Sequence, residues 1–474
     1  MREAGILAER SEFLMVMTSW IRMTVKVCSF LSILSAACFV QGGEISRHII
    51  VLDPQHPHAA AVFAHSIPGL STTVHVYAPP GQAVTAFLES LANFNHRSSN
   101  PTAWHVESHI GPDFLQSMLR EPPGNIVVIA SRNDIKIQYI LSCLRAGQNV
   151  LADKPWIINR KDFPSLEAAL NIAKEKHVAF YDGMTERFNV AYQIQRELMR
   201  DPDIFGRPLT GTVSQPAVEL KNLHSLVKFN DGKVIIRPPW FLDIRKQGEA
   251  IADVGTHLVD LEMWTLFPDQ AIDYRHDIEV LEATRSPIVL TLPQFERLTN
   301  AKGWPAFLQE SVHDNQLRYF CNNTASYTIR GIYAAISDRW EYESPGALSD
   351  SYLVLYRGTR ATVRVRQSNL EHYVSEIDVI PNDGENPAAF TAALIRKLKS
   401  LSGVYPNLSF RKNGRSIRVI IPDDLRVRGG STFGQLVEQF LKYVRNPQSL
   451  PSWEQPNLLA KYYITTTAVG MANK

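Results

Sequence analysis

Cysteine is scarce in this sequence, with four residues in 474. Four are too few for a disulfide scaffold, and no zinc-type Cys/His spacing is present, so no metal centre is expected. An excess of charge is also missing. The 49 basic and 47 acidic residues leave a net charge of +2, mixed along the chain. That speaks against nucleic acid as a partner, which usually meets a concentrated basic face. Internal repeats are absent, which removes the solenoid class. Apolar runs are all too short for a stable membrane span. What is there is 45% hydrophobic and 20% charged, an ordinary globular composition. Domains run to roughly 100–200 residues, so this length predicts two.

Residues 1–43 differ from the rest. Met23 opens the run MTVKVCSFLSILSAACFVQGG, Lys26 supplies a positive start, and Val27 to Val40 is uncharged and mostly apolar. The pattern is that of a signal peptide over about 23–42, with cleavage near Gly42 and Gly43. Residues 1–22 then read as an upstream extension. A buried N-terminal helix is the alternative. A lipoprotein signal ending at Cys38 ranks second, because Ser35 stands where an aliphatic residue is preferred. The expected location is outside the cytoplasm, in a bacterial periplasm.

The N-terminal half alternates short apolar runs with helical periodicity. HIIVLD (48–53), TVHVYA (73–78), NIVVIA (125–130), NVLAD (149–153) and VAFYD (178–182) read as strands. Helical patterns through Leu88, over 134–146 and over 161–176 separate them. Such alternation predicts a parallel sheet with helices on both faces, a Rossmann-type α/β domain over 44–185. Cys143 falls in one of these helices and is expected in the core. Beyond about residue 205, TIRGIYAAISDRWEYE and YLVLYRGTRATVRVRQ alternate polar with apolar residues. They predict an α+β domain over 186–474 with a large, mostly antiparallel open sheet. A helix over 250–266 interrupts it, and LLAKYYITTTAVGMA reads as a C-terminal helix that packs back on the first domain.

Two segments carry the chemistry. In IADVGTHLVDLEMW (251–264), Asp253 and His257 stand four apart on a helix and so share a face, with Asp260 extending it. A carboxylate there can orient an imidazole and raise its basicity. Alone, the pair reads more readily as a helix-terminal acid and a surface histidine. In AGQNVLADKPW (146–156), Lys154 ends a buried strand before Pro155. Ligands of open parallel sheets sit beyond the carboxyl strand ends, so Lys154 is placed to meet one. Alone, it reads as a solvated loop lysine.

Together, AGxNVLxxKP and DxGxHxxD, in this order and about a hundred residues apart, resemble the Gfo/Idh/MocA oxidoreductases. Asp153 replaces the family's usual Glu. The strings LDPQHPHAA, FNHRSSNPTAW, YDGMTER, RPPWFLD and LPSWEQPNLLAKYY resemble an exported subgroup with its own C-terminal domain. The resemblance implies NAD or NADP, possessed of the hydride chemistry, and a carbohydrate substrate. It implies that Lys154 bonds the reacting oxygen. His257 is then the base or acid, and Asp253 orients hydroxyls and supports the histidine. The loop from Ser131 to Asp134 lines the nicotinamide, with Asn133 a polar contact. A homo-oligomer through the C-terminal sheet is implied as well.

The first strand, however, leads into Asp53-Pro54-Gln55-His56-Pro57-His58, with no glycine where GxGxxG belongs. Tyr77-Ala78-Pro79 stands where an acid should hold the ribose. Three readings are open: an altered cofactor pose using Asp53, Gln55, His56, His58, Asp153 and Lys154; histidines that serve the chemistry themselves; or loss of the cofactor. Arg237, Trp240 and Asp243 suit a sugar by stacking and hydrogen bonding, although Trp240 and Phe241 read equally as interdomain core. Arg187 and Glu186 read as a structural ion pair. A dehydrogenase, a redox-neutral glycosidase working through transient oxidation, and a sugar-binding protein are the three functions in play.

Overall fold

The computed structural model describes residues 47–230, 233–343, 350–426 and 430–474. The leader, with Cys38 and Gly42–Gly43, lies outside the described residues. His48–Lys474 forms one compact unit, within which two sheets are distinguished.

The first sheet consists of β1 (Ile49–Leu52), β2 (Thr73–Ala78), β3 (His105–Ile110), β4 (Ile126–Ile129), β5 (Asn149–Ala152) and β6 (Phe180–Asp182). All pairs are parallel, in the order β3-β2-β1-β4-β5-β6. That is the doubly wound dinucleotide-fold order. Every residue of β1, β4 and β5 is buried, because helices cover both faces of the sheet. The sequence pattern misses β3: HVESHI is an edge strand with almost every residue exposed, and so shows no apolar run.

The connecting helices are α1 (His58–Ala61), α2 (Gln82–His96), α3 (Phe114–Met118), α4 (Lys136–Arg145) and α5 (Phe163–Lys176). The first spans a single turn. Its face of the sheet is completed by a helix from far down the chain. There follow α6 (Val190–Met199), α7 (Ile244–Gln247), α8 (Ala250–Asp253), α9 (Gly255–Leu266), α10 (Leu292–Thr299), α11 (Pro387–Ser400), α12 (Gly430–Arg445) and α13 (Glu454–Ala472). Leu436, Val437, Phe440 and Leu441 of α12 share a core with Ile49, Val51, Val74 and Val76. Phe440 is fully buried there, a burial that stabilises by about 1.5–3 kcal/mol.

The second sheet contains β7 (Val218–Ser225), then, after a small hairpin of β8 (Phe229–Asn230) and β9 (Lys233–Val234), β10 (Ile278–Thr291), β11 (Val312–His313), β12 (Gln316–Ile329), β13 (Ile332–Glu341), β14 (Ser351–Arg357), β15 (Ala361–Gln367), β16 (Glu376–Pro381), β17 (Ser409–Asn413) and β18 (Ser416–Ile420). The order is β10-β12-β13-β7-β14-β15-β16-β18-β17, antiparallel except for β13 beside β7. The run TIRGIYAAISDRWEYE is a hairpin, not one strand. Arg330 and Gly331 both take positive φ, 52° and 76°, which turns the chain between β12 and β13. YLVLYRGTRATVRVRQ likewise folds back, as β14 and β15.

The predicted helix over 250–266 is two segments, α8 and α9, meeting at Val254. The C-terminal helix α13 touches the first sheet's surroundings directly. Tyr462 Oη accepts from the Trp156 backbone N–H at 2.8 Å and donates to Asp182 at 2.9 Å.

Candidate active site

The carboxyl ends of β4, β5 and β6 lead to α7, α8 and α9: Asn133 donates to the Gln247 carbonyl, Lys154 to Asp253, and Lys461 bridges Asp182 and Asp260. Lys154 follows β5, and its peptide bond to Pro155 is cis. Its Nζ donates to Asp253 Oδ1 at 2.6 Å, with both side chains buried. Asp253 Oδ2 accepts from Gln247 Nε2 at 2.6 Å. Gly248, at φ +91°, makes the turn that sets Gln247 against Asp253. A Cβ at Gly248 would lie 2.7 Å from Ile158.

The electrostatics separate two roles. Burial opposes the charge on Lys154, but Asp253 and Asp153 beside it hold its pKa above the ordinary value. Burial raises Asp253, and Lys154 more than offsets it, holding it below the usual carboxylate range. Lys154 is therefore a fixed cation. His257 behaves oppositely. Burial, followed by the charges of Lys154 and His58, pushes it down to about 3. Its Nδ1 is buried without a hydrogen-bond partner among the described residues. The sequence suggested that Asp253 makes His257 more basic. Instead both carboxylate oxygens of Asp253 are taken by Lys154 and Gln247, so the imidazole stays neutral.

Two further side chains belong here and were not found from sequence. Lys136 is fully buried, donates to Asn133 Oδ1 at 2.8 Å and to the Lys154 carbonyl at 3.3 Å, and is pushed down to about 8 by burial. Gln247 is the other. In the sequence Lys136 is one more lysine in the first turn of a helix, and only the tertiary contacts reveal it.

The loop after β1 is closed on itself. Asp53 is buried, takes φ 48° and accepts from Gln55 Nε2 at 2.8 Å. Gln55 and His56 both donate their backbone N–H to the Ala130 carbonyl. His58 N–H donates to His56 Nδ1, and Ala59, Ala60 and Ala61 donate to His56 and Pro57 carbonyls. Pro54 and Pro57 have no N–H. Every backbone donor that would hold a pyrophosphate is thus absent or spent. His58 Nδ1 lies 2.9 Å and His56 Nδ1 3.4 Å from the Asp153 carboxylate. Asn133 is equally committed, to Lys136 and to the Gln247 carbonyl. Ser131 is buried, its hydroxyl donating to the Arg132 carbonyl.

Beside the loop opens a cleft of about 460 Å³. Gln55, His56, Ala60, Ala61, the first turns of α2 and Arg237 line it. Arg237 donates to the carbonyls of Leu226 and Ser225 and lies over Phe241. Trp240 packs with an apolar cluster. Asp243 caps α7 and pairs with Arg245 at 2.9 Å. The expected Arg187–Glu186 pair is corrected: Arg187 forks onto Asp260 at 2.6 Å and reaches Glu454 at 2.6 Å. Asp260 also meets Lys461, which bonds Asp182. The third acid of the helix face thus belongs to a buried charge network that joins α9 to α13.

A family model described as "Putative oxidoreductase C terminal domain" matches residues 194–473. A solved protein of Parabacteroides merdae, described as a "putative oxidoreductase", is 40% identical, with 90% of this chain and 98% of that chain covered, and superposes with a TM-score of 0.87. The chain belongs to the Gfo/Idh/MocA oxidoreductases. Two more distant structures share the Gfo/Idh/MocA-type fold. GenD2 from gentamicin A biosynthesis, solved with NAD, is 14% identical, with 91% and 95% covered and a TM-score of 0.54. The 3-ketoreductase KijD10 of Actinomadura kijaniata, solved with TDP-benzene and NADP, is 12% identical, with 89% and 96% covered and a TM-score of 0.52. Among curated proteins, none matches the sequence.

Proposed function

We propose that this oxidoreductase moves a hydride between NAD or NADP and a hydroxyl-bearing carbon of a sugar, glycoside or cyclitol. The observation that carries the reading is the buried Lys154–Asp253 pair, with a neutral His257 whose Nδ1 is unpartnered nearby. The NAD bound to GenD2 and the NADP bound to KijD10 support it.

The chain's own residues divide the work. Lys154 holds a positive charge against the substrate oxygen and stabilises the negative charge that grows as its proton leaves. His257, kept neutral, takes that proton in oxidation and returns it in reduction. Asp253 and Gln247 fix the direction of the Lys154 ammonium. A nicotinamide, when bound, accepts or supplies the hydride.

The residues fit such a cofactor at this end and depart from the usual pattern at the other. The closed β1–α1 loop offers no free backbone donor, so the pyrophosphate takes another position, and the cleft bordered by Arg237 is the space beside it.

Export and a homo-oligomer formed through the large sheet complete the proposal. The leader's composition supports export. Among the described residues no helix is long and apolar enough to cross a membrane. The deciding experiment is mass spectrometry of small molecules released on denaturing protein purified from the export compartment. NAD or NADP near one per chain supports the reading. None released, and none bound on addition, overturns it. N-terminal sequencing tests cleavage near Gly42, and light scattering tests the oligomer.

A further inference from the structure

The hydroxyl chemistry leaves one cluster unused. His56 and His58 of the β1–α1 connection face Asp153 at the end of β5. One ligand-capable atom from each lies within 4.8 Å of the others. His58 Nδ1 is 2.9 Å from Asp153 Oδ1 and His56 Nδ1 is 3.4 Å from Asp153 Oδ2. The two rings meet edge to face, with centroids 4.1 Å apart. Donors about 2.0–2.1 Å from a tetrahedral zinc ion lie about 3.3 Å from one another, which is the scale of this cluster.

The hydrogen bonding sharpens the point. The His58 backbone N–H donates to His56 Nδ1 at 3.3 Å. That nitrogen is therefore an acceptor, and it faces a carboxylate oxygen, also an acceptor. Two acceptors 3.4 Å apart repel unless a proton or a metal cation lies between them.

We propose that His56, His58 and Asp153 form a binding site for a divalent transition-metal ion of the zinc class. Two imidazoles and one carboxylate are a donor set that such ions take, with coordination left for oxygen ligands. His56 also lines the 460 Å³ cleft, so the ion lies at the cleft wall. Lys154 is neutralised by Asp253 and does not bar a cation. Lys136, buried nearby, acts electrostatically on His56 and Asp153 and opposes a bound cation. The site stands whether or not a nicotinamide binds.

The test is a Co²⁺ titration of tag-free protein stripped with a chelator, followed by displacement with Zn²⁺. One equivalent of Co²⁺ is expected to give visible d–d absorption that Zn²⁺ abolishes. His56→Ala with His58→Ala is expected to weaken binding at least tenfold. Asp153→Asn keeps an oxygen acceptor for His58 but loses the ligand charge; it is expected to weaken binding too, and it carries the test if the double variant fails to fold. A second group, His75, Glu107 and His109, lies on the outer strands, so His75→Ala is the control and should change nothing. No saturable Co²⁺ spectrum, a spectrum that persists in the folded site variants, or one lost in His75→Ala overturns the site.

Discussion

Lys154 Nζ lies 2.6 Å from Asp253 Oδ1, both groups buried, across a span of 99 residues of sequence. Removing one partner of such a pair leaves an unpaired buried charge, which costs about 3–5 kcal/mol. Lys154→Met is expected to lower the denaturation midpoint strongly and to cut kcat by about 10²–10³, the loss typical of one missing charge-stabilising donor. Lys154→Met with Asp253→Asn should recover much of the stability and none of the activity. Chemical denaturation and turnover, measured side by side, check this. A single variant as stable and active as the wild type removes Lys154 from the site.

The state of His257 is expected to show in the pH profile. Burial and its cationic neighbours hold it near 3, so it is neutral and able to accept a proton throughout pH 5 to 8. The profile of kcat/KM for oxidation should then lack an inflection near 6.5, the ordinary histidine value. His257→Asn should lower kcat by about 10²–10⁴. An acid limb centred near 6.5 that disappears in His257→Asn would contradict the assignment.

Glu262 makes a stability prediction. It is fully buried, accepts a hydrogen bond from Tyr327, and is raised to about 8 by burial. With a folded pKa above the unfolded 4.5, its contribution is whole below pH 4.5 and is lost as pH rises to 8. The loss runs at about 1.4 kcal/mol per pH unit. Glu262→Gln removes the charge. It should match the wild type near pH 4.5 and exceed it by about 2 kcal/mol or more at pH 8. Urea midpoints at several pH values test the slope; a difference independent of pH counts against it.

The cleft can be filled from one side. Ala83, in the first turn of α2, is part of its wall. Ala83→Trp is expected to weaken NAD or NADP binding at least tenfold, about 1.4 kcal/mol. Stability should shift by only about 0.5 kcal/mol, as at a surface position. Calorimetric titration decides; unchanged affinity would place the cofactor elsewhere.

Much of the fold was legible in the residues. Buried parallel strands are largely apolar, so β1, β2, β4, β5 and β6 stand out, and turn residues separate the alternating strands of the second sheet. Strand β3 escaped because an exposed edge has no apolar face to display. The two-strand nature of TIRGIYAAISDRWEYE escaped because Arg330 does not advertise a positive φ. Lys154, Asp253 and His257 were singled out by the resemblance of AGxNVLxxKP and DxGxHxxD; their spacing and strand ends alone left them open. Their partners were not legible.

What the sequence alone determined is most of the order of elements and the presence of Lys154, Asp253 and His257 at strand and helix ends, because periodicity and turn chemistry are local. Tertiary structure decided the rest. It gave Asp253 to Lys154 and Gln247 in place of His257, and Arg187 to Asp260 and Glu454 in place of Glu186. It buried Lys136, laid α12 over the first sheet, and closed the β1–α1 loop around His56, His58 and Asp153. Each of these depends on charges and surfaces far apart in the chain, and burial sets their strength only once the fold has brought them together.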